Sequence, residues 1–122
     1  MNVKISTNRI FHAITIKEPE LAANMTEELR EQLKIFLKKD LKNLIVIMKD
    51  IQKIDSAAAK ELLDIRNHFY DNRASFVLCE PQPAVKKIFD QDEQFETVLI
   101  APSLSEASDL VHLEEIEREM TD

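Results

Sequence analysis

Leu44-Ile45-Val46-Ile47-Met48 runs into the polar Lys49-Asp50-Ile51-Gln52-Lys53 and then into Ile54-Asp55-Ser56-Ala57-Ala58-Ala59. Five consecutive apolar residues leave no face for water, the pattern of a central parallel strand covered on both sides. The polar residues after them form a turn. From Ala57 to Tyr70 the chain reads as a helix, opened by three alanines and striped by Leu62, Ile65 and Phe69. A buried strand feeding an amphipathic helix is the repeating step of an α/β layer fold.

The same alternation extends in both directions. Val3 to Ile16 reads as two strands broken near Thr7-Asn8, with Ile10, His12, Ile14 and Ile16 on one face of the second. A helix is expected over Asn24 to Lys39, with Met25, Leu29, Leu33, Phe36 and Leu37 inward and Asn24 with Glu27 as a capping box. Asp71-Asn72-Arg73 ends the alanine-led helix, with Asn72 expected in the left-handed cap. Ser75 to Cys79 is a second buried strand, Ala84 to Phe89 a short helix and Thr97 to Ile100 a last strand. Ser103 and Glu106 form a capping box for a final helix to about Met120, striped by Ala107, Leu110, Leu113 and Ile116. Its acidic end (Glu114, Glu115, Glu117, Glu119, Asp122) reads as a solvated face. The order ββαβαβαβα predicts one α/β domain over residues 1–122, a mostly parallel central sheet with four helices.

Composition narrows the function. The 122 residues include no glycine, no tryptophan and one cysteine. Average usage of about 7% would supply about eight or nine glycines. Without them there is no P-loop, no dinucleotide-binding fingerprint and no glycine-flanked nucleophile elbow, each of which needs a positive φ or close backbone approach. The net charge of −7 disfavours nucleic acid and anionic lipid. The five-residue apolar run is far short of the roughly 20 that cross a membrane, and no apolar signal segment follows Met1. With the lone Cys79, these features point to a cytoplasmic protein.

Candidate chemistry is sparse. His12, His68, His112 and Cys79 share no metal-ligand spacing, so no metal and no cofactor are expected. Cys79 ends a buried strand beside Glu80, which disfavours the thiolate. Leu44 to Asp50 is similar to the strand and acceptor aspartate of a receiver domain, but Glu18 and Glu20 flank a proline and Ile100-Ala101-Pro102-Ser103 offers no lysine, so Asp50 reads as a loop residue. No acid/base pair or nucleophile–base pair stands out, and the chain is not read as an enzyme. What remains is Asp55-Ser56 at a helix start. Either residue suits an N-cap. A phosphate on Ser56 would also be stabilised there by the positive end of the helix.

Three stretches resemble the STAS domain of anti-sigma-factor antagonists: Leu44–Met48 with Ile54-Asp55-Ser56, Pro83-Ala84-Val85-Lys86-Lys87-Ile88-Phe89, and Ser103 to Ala107. The resemblance implies that Ser56 is the residue phosphorylated by an anti-sigma factor that is itself a serine kinase, and Asp55 the aspartate before it. It further implies that the unmodified protein binds that kinase and frees a sigma factor, a partner switch in transcription regulation. Two departures stand out. The family usually continues Ser-Gly-Leu-Gly where this chain has Ala57-Ala58-Ala59-Lys60 after Ser56, and usually carries Gly-x-Leu-Asp where Pro19-Glu20-Leu21-Ala22 stands. The expected partner-binding residues are Asp55, Ser56 and Ala57, with Lys53 and Lys60 flanking them. The partner is the serine kinase or a related STAS-binding protein. The alternative is a non-switching STAS subunit of a larger assembly, such as a stressosome-like scaffold or a lipid-transport complex.

Overall fold

The computed structural model describes residues 1–121. A five-stranded sheet in the order β1 (Val3–Thr7), β2 (His12–Ile16), β4 (Leu44–Ile47), β6 (Phe76–Cys79), β7 (Leu99–Ala101) forms the frame. β1 is antiparallel to β2, and the other neighbours are parallel. The expected α/β layer with four helices is therefore present: α1 (Thr26–Lys34), α2 (Ser56–Asp71), α3 (Pro83–Asp90) and α4 (Leu104–Thr121). A second pairing, of β3 (Glu20–Leu21) with β5 (Lys53–Ile54), joins the segment before α1 to the segment before α2.

The alternation of side chains along β4 and β6 divides the interior in two. Leu44, Val46, Met48, Phe76 and Leu78 face one side, under Leu29 and Leu33 of α1, Leu62, Ile65 and Phe69 of α2, and Val85 and Phe89 of α3. Ile45, Ile47, Val77 and Cys79 face the other, which α4 covers with Ala107 and Val111. Each large side chain sealed in this way contributes about 1.5–3 kcal/mol. The α4 side includes the small buried residues Ala13, Cys79, Ala101 and Ala107.

Several local expectations are corrected. The first helix is a 3-10 turn over Ala23–Met25, then α1, then a 3-10 turn over Ile35–Lys38. Asn24 lies inside the first of these turns and Met25 occupies the cap of α1 without a side-chain bond, so the Asn24–Glu27 box does not form. Asn72 caps α2 at φ −99°, and the left-handed residue is Arg73 at φ 57°. The other left-handed position, after β6, holds Glu80 at φ 55°.

The largest correction concerns α4. Ser103 does cap it, its hydroxyl accepting the Glu106 amide at 3.1 Å. The buried stripe, however, runs through Ala107 and Val111, and Leu113 and Ile116 are exposed. Further along, polar residues replace the apolar stripe, and Glu114 and Glu115, expected on a solvated face, are only partly exposed and are hydrogen-bonded. The Glu114 carboxylate accepts from the Tyr70 hydroxyl and, at 2.7 Å, from the Ser75 hydroxyl. Glu115 accepts from the Asn43 amide at 2.8 Å and from Arg118 at 2.9 Å. Asn43 itself is buried, and its carbonyl oxygen accepts the Ser75 amide at 2.8 Å. Asp122 lies outside the described residues.

Candidate functional site

At the end of the sheet where β4 and β6 terminate, the chain builds the start of α2. Asp55 is its N-cap, with φ −92° and ψ 170°, and one carboxylate oxygen accepts the Ala58 amide at 2.9 Å. The other accepts the Ala23 amide at 2.8 Å. The backbone reinforces this: the Asp55 amide donates to the Leu21 carbonyl at 3.1 Å and the Gln52 amide to the Pro19 carbonyl at 2.7 Å. Leu21 and Ile54, paired in the small sheet, are buried beneath. One carboxylate therefore fastens together the loop before α1 and the first turn of α2.

Because Asp55 does the capping, Ser56 does not have to. Ser56 is the first residue of α2, its side chain is exposed, and among the described residues no hydrogen bond engages its hydroxyl. Ala57 is exposed beside it, whereas Ala58 and Ala59 turn into the core and are sealed there. Lys53 is exposed on β5, and Lys60, four residues after Ser56 and so one helical turn along, is exposed too. Among the described residues neither lysine has an ion-pair partner. The structure thus brings Lys53, Asp55, Ser56, Ala57 and Lys60 onto one exposed ridge. The position of the Ser56 hydroxyl at a helix N-terminus favours added negative charge at that point.

The other candidates are occupied differently. Asp50 follows β4 in a turn, with Lys17 Nζ 3.7 Å away. His12 is buried, its Nε2 donating to the Leu41 carbonyl and its Nδ1 accepting from the Thr7 hydroxyl, both at 2.8 Å, with the Phe36 ring tilted by 38° against it at 4.7 Å. The carbonyl only accepts, which fixes the proton on Nε2. Cys79 is buried, and burial first and Glu80 second push its thiol up to about 12, so it is inert as a nucleophile. Among the described residues no group of three or more His, Cys, Asp or Glu is placed to hold a metal ion, and no helix is long and apolar enough to cross a membrane.

What the sequence reading missed here is the β3–β5 pairing, and with it the second role of Asp55. The signal was a pair of two-residue apolar-ended segments, Glu20-Leu21 and Lys53-Ile54, each just before a helix.

A family model for the STAS domain matches residues 5–107. The chain belongs to the STAS domain family. Among solved STAS folds it is similar to a proposed anti-sigma factor antagonist from Thermotoga maritima, with a TM-score of 0.77, 17% identity, and 90% of this chain and 94% of that one covered. It is also similar to the anti-sigma factor antagonist SpoIIAA in its unphosphorylated form, with a TM-score of 0.72, 18% identity, and coverage of 91% and 96%. A serine-to-glutamate variant of RsbS from Moorella thermoacetica gives a TM-score of 0.73, 17% identity, and coverage of 97% and 99%. No curated protein matches the sequence. The STAS fold accounts for the order of elements found here.

Proposed function

We propose that this chain is a regulatory protein-binding module, an antagonist-type partner switch controlled by phosphorylation of Ser56. The observation that carries this reading is an exposed serine hydroxyl at the first position of α2, left unengaged because the preceding aspartate does the capping. SpoIIAA, similar in fold, exists in both unphosphorylated and phosphorylated forms. The module binds rather than catalyses, and its setting is the cytoplasm.

In the unmodified state the partner, an anti-sigma-factor serine kinase or a related STAS-binding protein, docks on Lys53, Asp55, Ser56, Ala57 and Lys60. The two lysines meet acidic groups on it. Phosphorylation transfers the γ-phosphoryl group of the kinase's ATP to Ser56 Oγ, releasing ADP, with the hydroxyl proton passing to the kinase's base. The phosphate adds about −1.5 to −2 charges beside Asp55. That charge is desolvated in the interface and meets the partner's acidic groups, and like-charge contact of this kind costs several kcal/mol. About 3 kcal/mol weakens binding roughly a hundredfold, enough to release a partner.

The test is partner affinity for Ser56→Ala and Ser56→Asp. Ser56→Ala is expected to bind like the unmodified chain and Ser56→Asp far more weakly; equal affinities defeat the switch. The second reading, a constitutive STAS subunit of a larger assembly, is favoured by the stiffness of this helix start, with Ala58 and Ala59 buried and Asp55 bonded on both sides. Mass spectrometry of the protein from its native cell, finding Ser56 unmodified under all growth conditions, would select it.

A further inference from the structure

The flank of the molecule along β1 is used neither by the core nor by the Ser56 ridge. β1 is an outer strand of the sheet. The Lys17 amide donates to the Asn2 carbonyl at 2.8 Å and the Asn8 amide to the Phe11 carbonyl at 3.0 Å, which fixes the parity of the ladder. Asn2, Lys4, Ser6 and Asn8 turn their backbone groups toward β2. Val3, Ile5 and Thr7 turn their N–H and C=O groups outward, with no described strand beyond them. An outer strand with a free row of donors and acceptors is a template for another strand.

Two exposed isoleucines lie on the α1 side of the sheet. Ile5, 51% exposed, lies opposite Ile14 and so faces the α1 side of the sheet. Ile35, at the end of α1, is 53% exposed. Their heights can be compared because the Met1 ammonium is bonded to Glu28 of α1, and β1 and α1 run the same way from that point. Ile5 is four residues along the strand, about 13 Å. Ile35 is seven residues along the helix, about 10 Å, and seven residues restore the same helix face. α1 is also polarised: Glu27, Glu28 and Glu31 lie toward its start, and Lys34, Lys38 and Lys39 toward and beyond its end.

We propose that β1 pairs with β1 of a second copy of this chain, antiparallel about a two-fold axis at Ile5, merging two five-stranded sheets into one. Ile5 then exchanges both backbone hydrogen bonds with the second copy's Ile5, and Val3 with the second copy's Thr7. Lys4 falls opposite the second copy's Ser6, so no two like charges meet directly. The axis reverses the direction of α1, bringing the acidic start of one α1 toward the basic end of the other, and it sets the two exposed Ile5 side chains side by side. This self-complementarity in register, charge and apolar surface selects a second copy over an unrelated strand. The pairing leaves the Asp55–Ser56 ridge open and does not rest on the switching reading.

Sedimentation equilibrium of the full chain in about 0.15 M salt, where net repulsion is screened beyond about 8 Å, is expected to give the two-chain mass. Ile5→Pro removes one outward N–H and leaves the ladder to β2 intact, and is expected to be monomeric with unchanged circular dichroism. As a second measurement that does not disturb the strand, Ile5→Cys is expected to form an intermolecular disulfide under mild oxidation and Ser6→Cys is not. Residues facing each other in such a pair have Cα atoms about 5.5 Å apart, within disulfide reach, and the native Cys79 is buried. A wild-type chain that stays monomeric at its highest soluble concentration, an Ile5→Pro variant that folds and still dimerises, or equal cross-linking at Ile5→Cys and Ser6→Cys would overturn the proposal.

Discussion

Asp55 and Ala23, 32 residues apart in the chain, are joined by a 2.8 Å hydrogen bond from the Ala23 amide to a carboxylate oxygen whose twin caps α2. Asp55→Ala removes both bonds at once. A lost N-cap alone costs about 0.5–2 kcal/mol, and the unpaired Ala23 amide adds to it. Urea unfolding is expected to show a loss of about 1–2 kcal/mol, with faster hydrogen exchange at Ala58 and Ala23 together. Exchange that quickens at Ala58 alone would mean that the carboxylate does not couple the two segments.

Ser56→Asp should weaken partner binding without weakening the fold. An acid in the first turn of a helix gains about 0.3–1 kcal/mol from the helix dipole, against mild repulsion from Asp55. The melting temperature of this variant is expected within a few degrees of wild type, so lost binding can be assigned to the interface. A large drop in melting temperature contradicts the exposed, uncapping placement of Ser56.

Tyr70 reports on whether α4 is docked. It is the one tyrosine of a chain without tryptophan. Burial, then the hydrogen bond to Glu114, raises its ionisation well above the ordinary 10.0. A raised value means that the stabilisation is complete below pH 10 and is lost as pH rises through the folded-state value. Tyrosinate absorbance is expected to appear at higher pH in the native chain than in urea, and Glu114→Ala is expected to bring it back toward 10. Coincident native and unfolded titrations would show the clasp to be open in solution.

Glu115 makes the same helix sensitive to acid. The Asn43 amide, then Arg118, hold its carboxyl below the ordinary 4.5. The depressed value means that its stabilisation is present above pH 4.5 and is lost as pH falls through the folded-state value. The side chain is 42% exposed, so the effect is no more than about 1 kcal/mol. Below pH 4.5 the urea midpoint of wild type is expected to fall more steeply than that of Glu115→Gln; parallel slopes would remove Glu115 from the account.

Glu80 occupies a left-handed position at φ 55° that a chain with glycine would give to glycine. That conformation costs a residue with a Cβ about 1–2 kcal/mol. Glu80→Gly is expected to raise the melting temperature by a few degrees. It should also lower the Cys79 thiol from about 12, though only partly, because burial is the larger cause. An unchanged or lower melting temperature would mean that the Glu80 side chain contributes more than its backbone costs.

The five strands of the main sheet and three of the four helix faces could be read from the sequence because apolar periodicity records burial, and Leu44 to Met48, Leu62, Ile65 and Phe69 are buried for that reason. The same rule misplaced α4. Leu113 and Ile116 are apolar and exposed, while the polar Glu114 and Glu115 are only partly exposed and bond to Tyr70, Ser75 and Asn43. Asn43 and Ser75 each stand immediately before a buried strand, and that shared position was the available signal. The β3–β5 pair escaped notice because two residues have no period. Ser56 was found from its place after an apolar strand and an aspartate, but its freedom from capping became visible only when Asp55 was seen to take both amides.

The two edges of the sheet are unequal. β1 offers five residues, whereas β7 has three and runs directly into Pro102, which has no N–H to give. Growth through the sheet therefore stops after one union: joining at β1 consumes the long margin of both molecules and leaves only short ones outside. A surface that would otherwise seed fibres is, by this asymmetry, closed to anything larger than a pair.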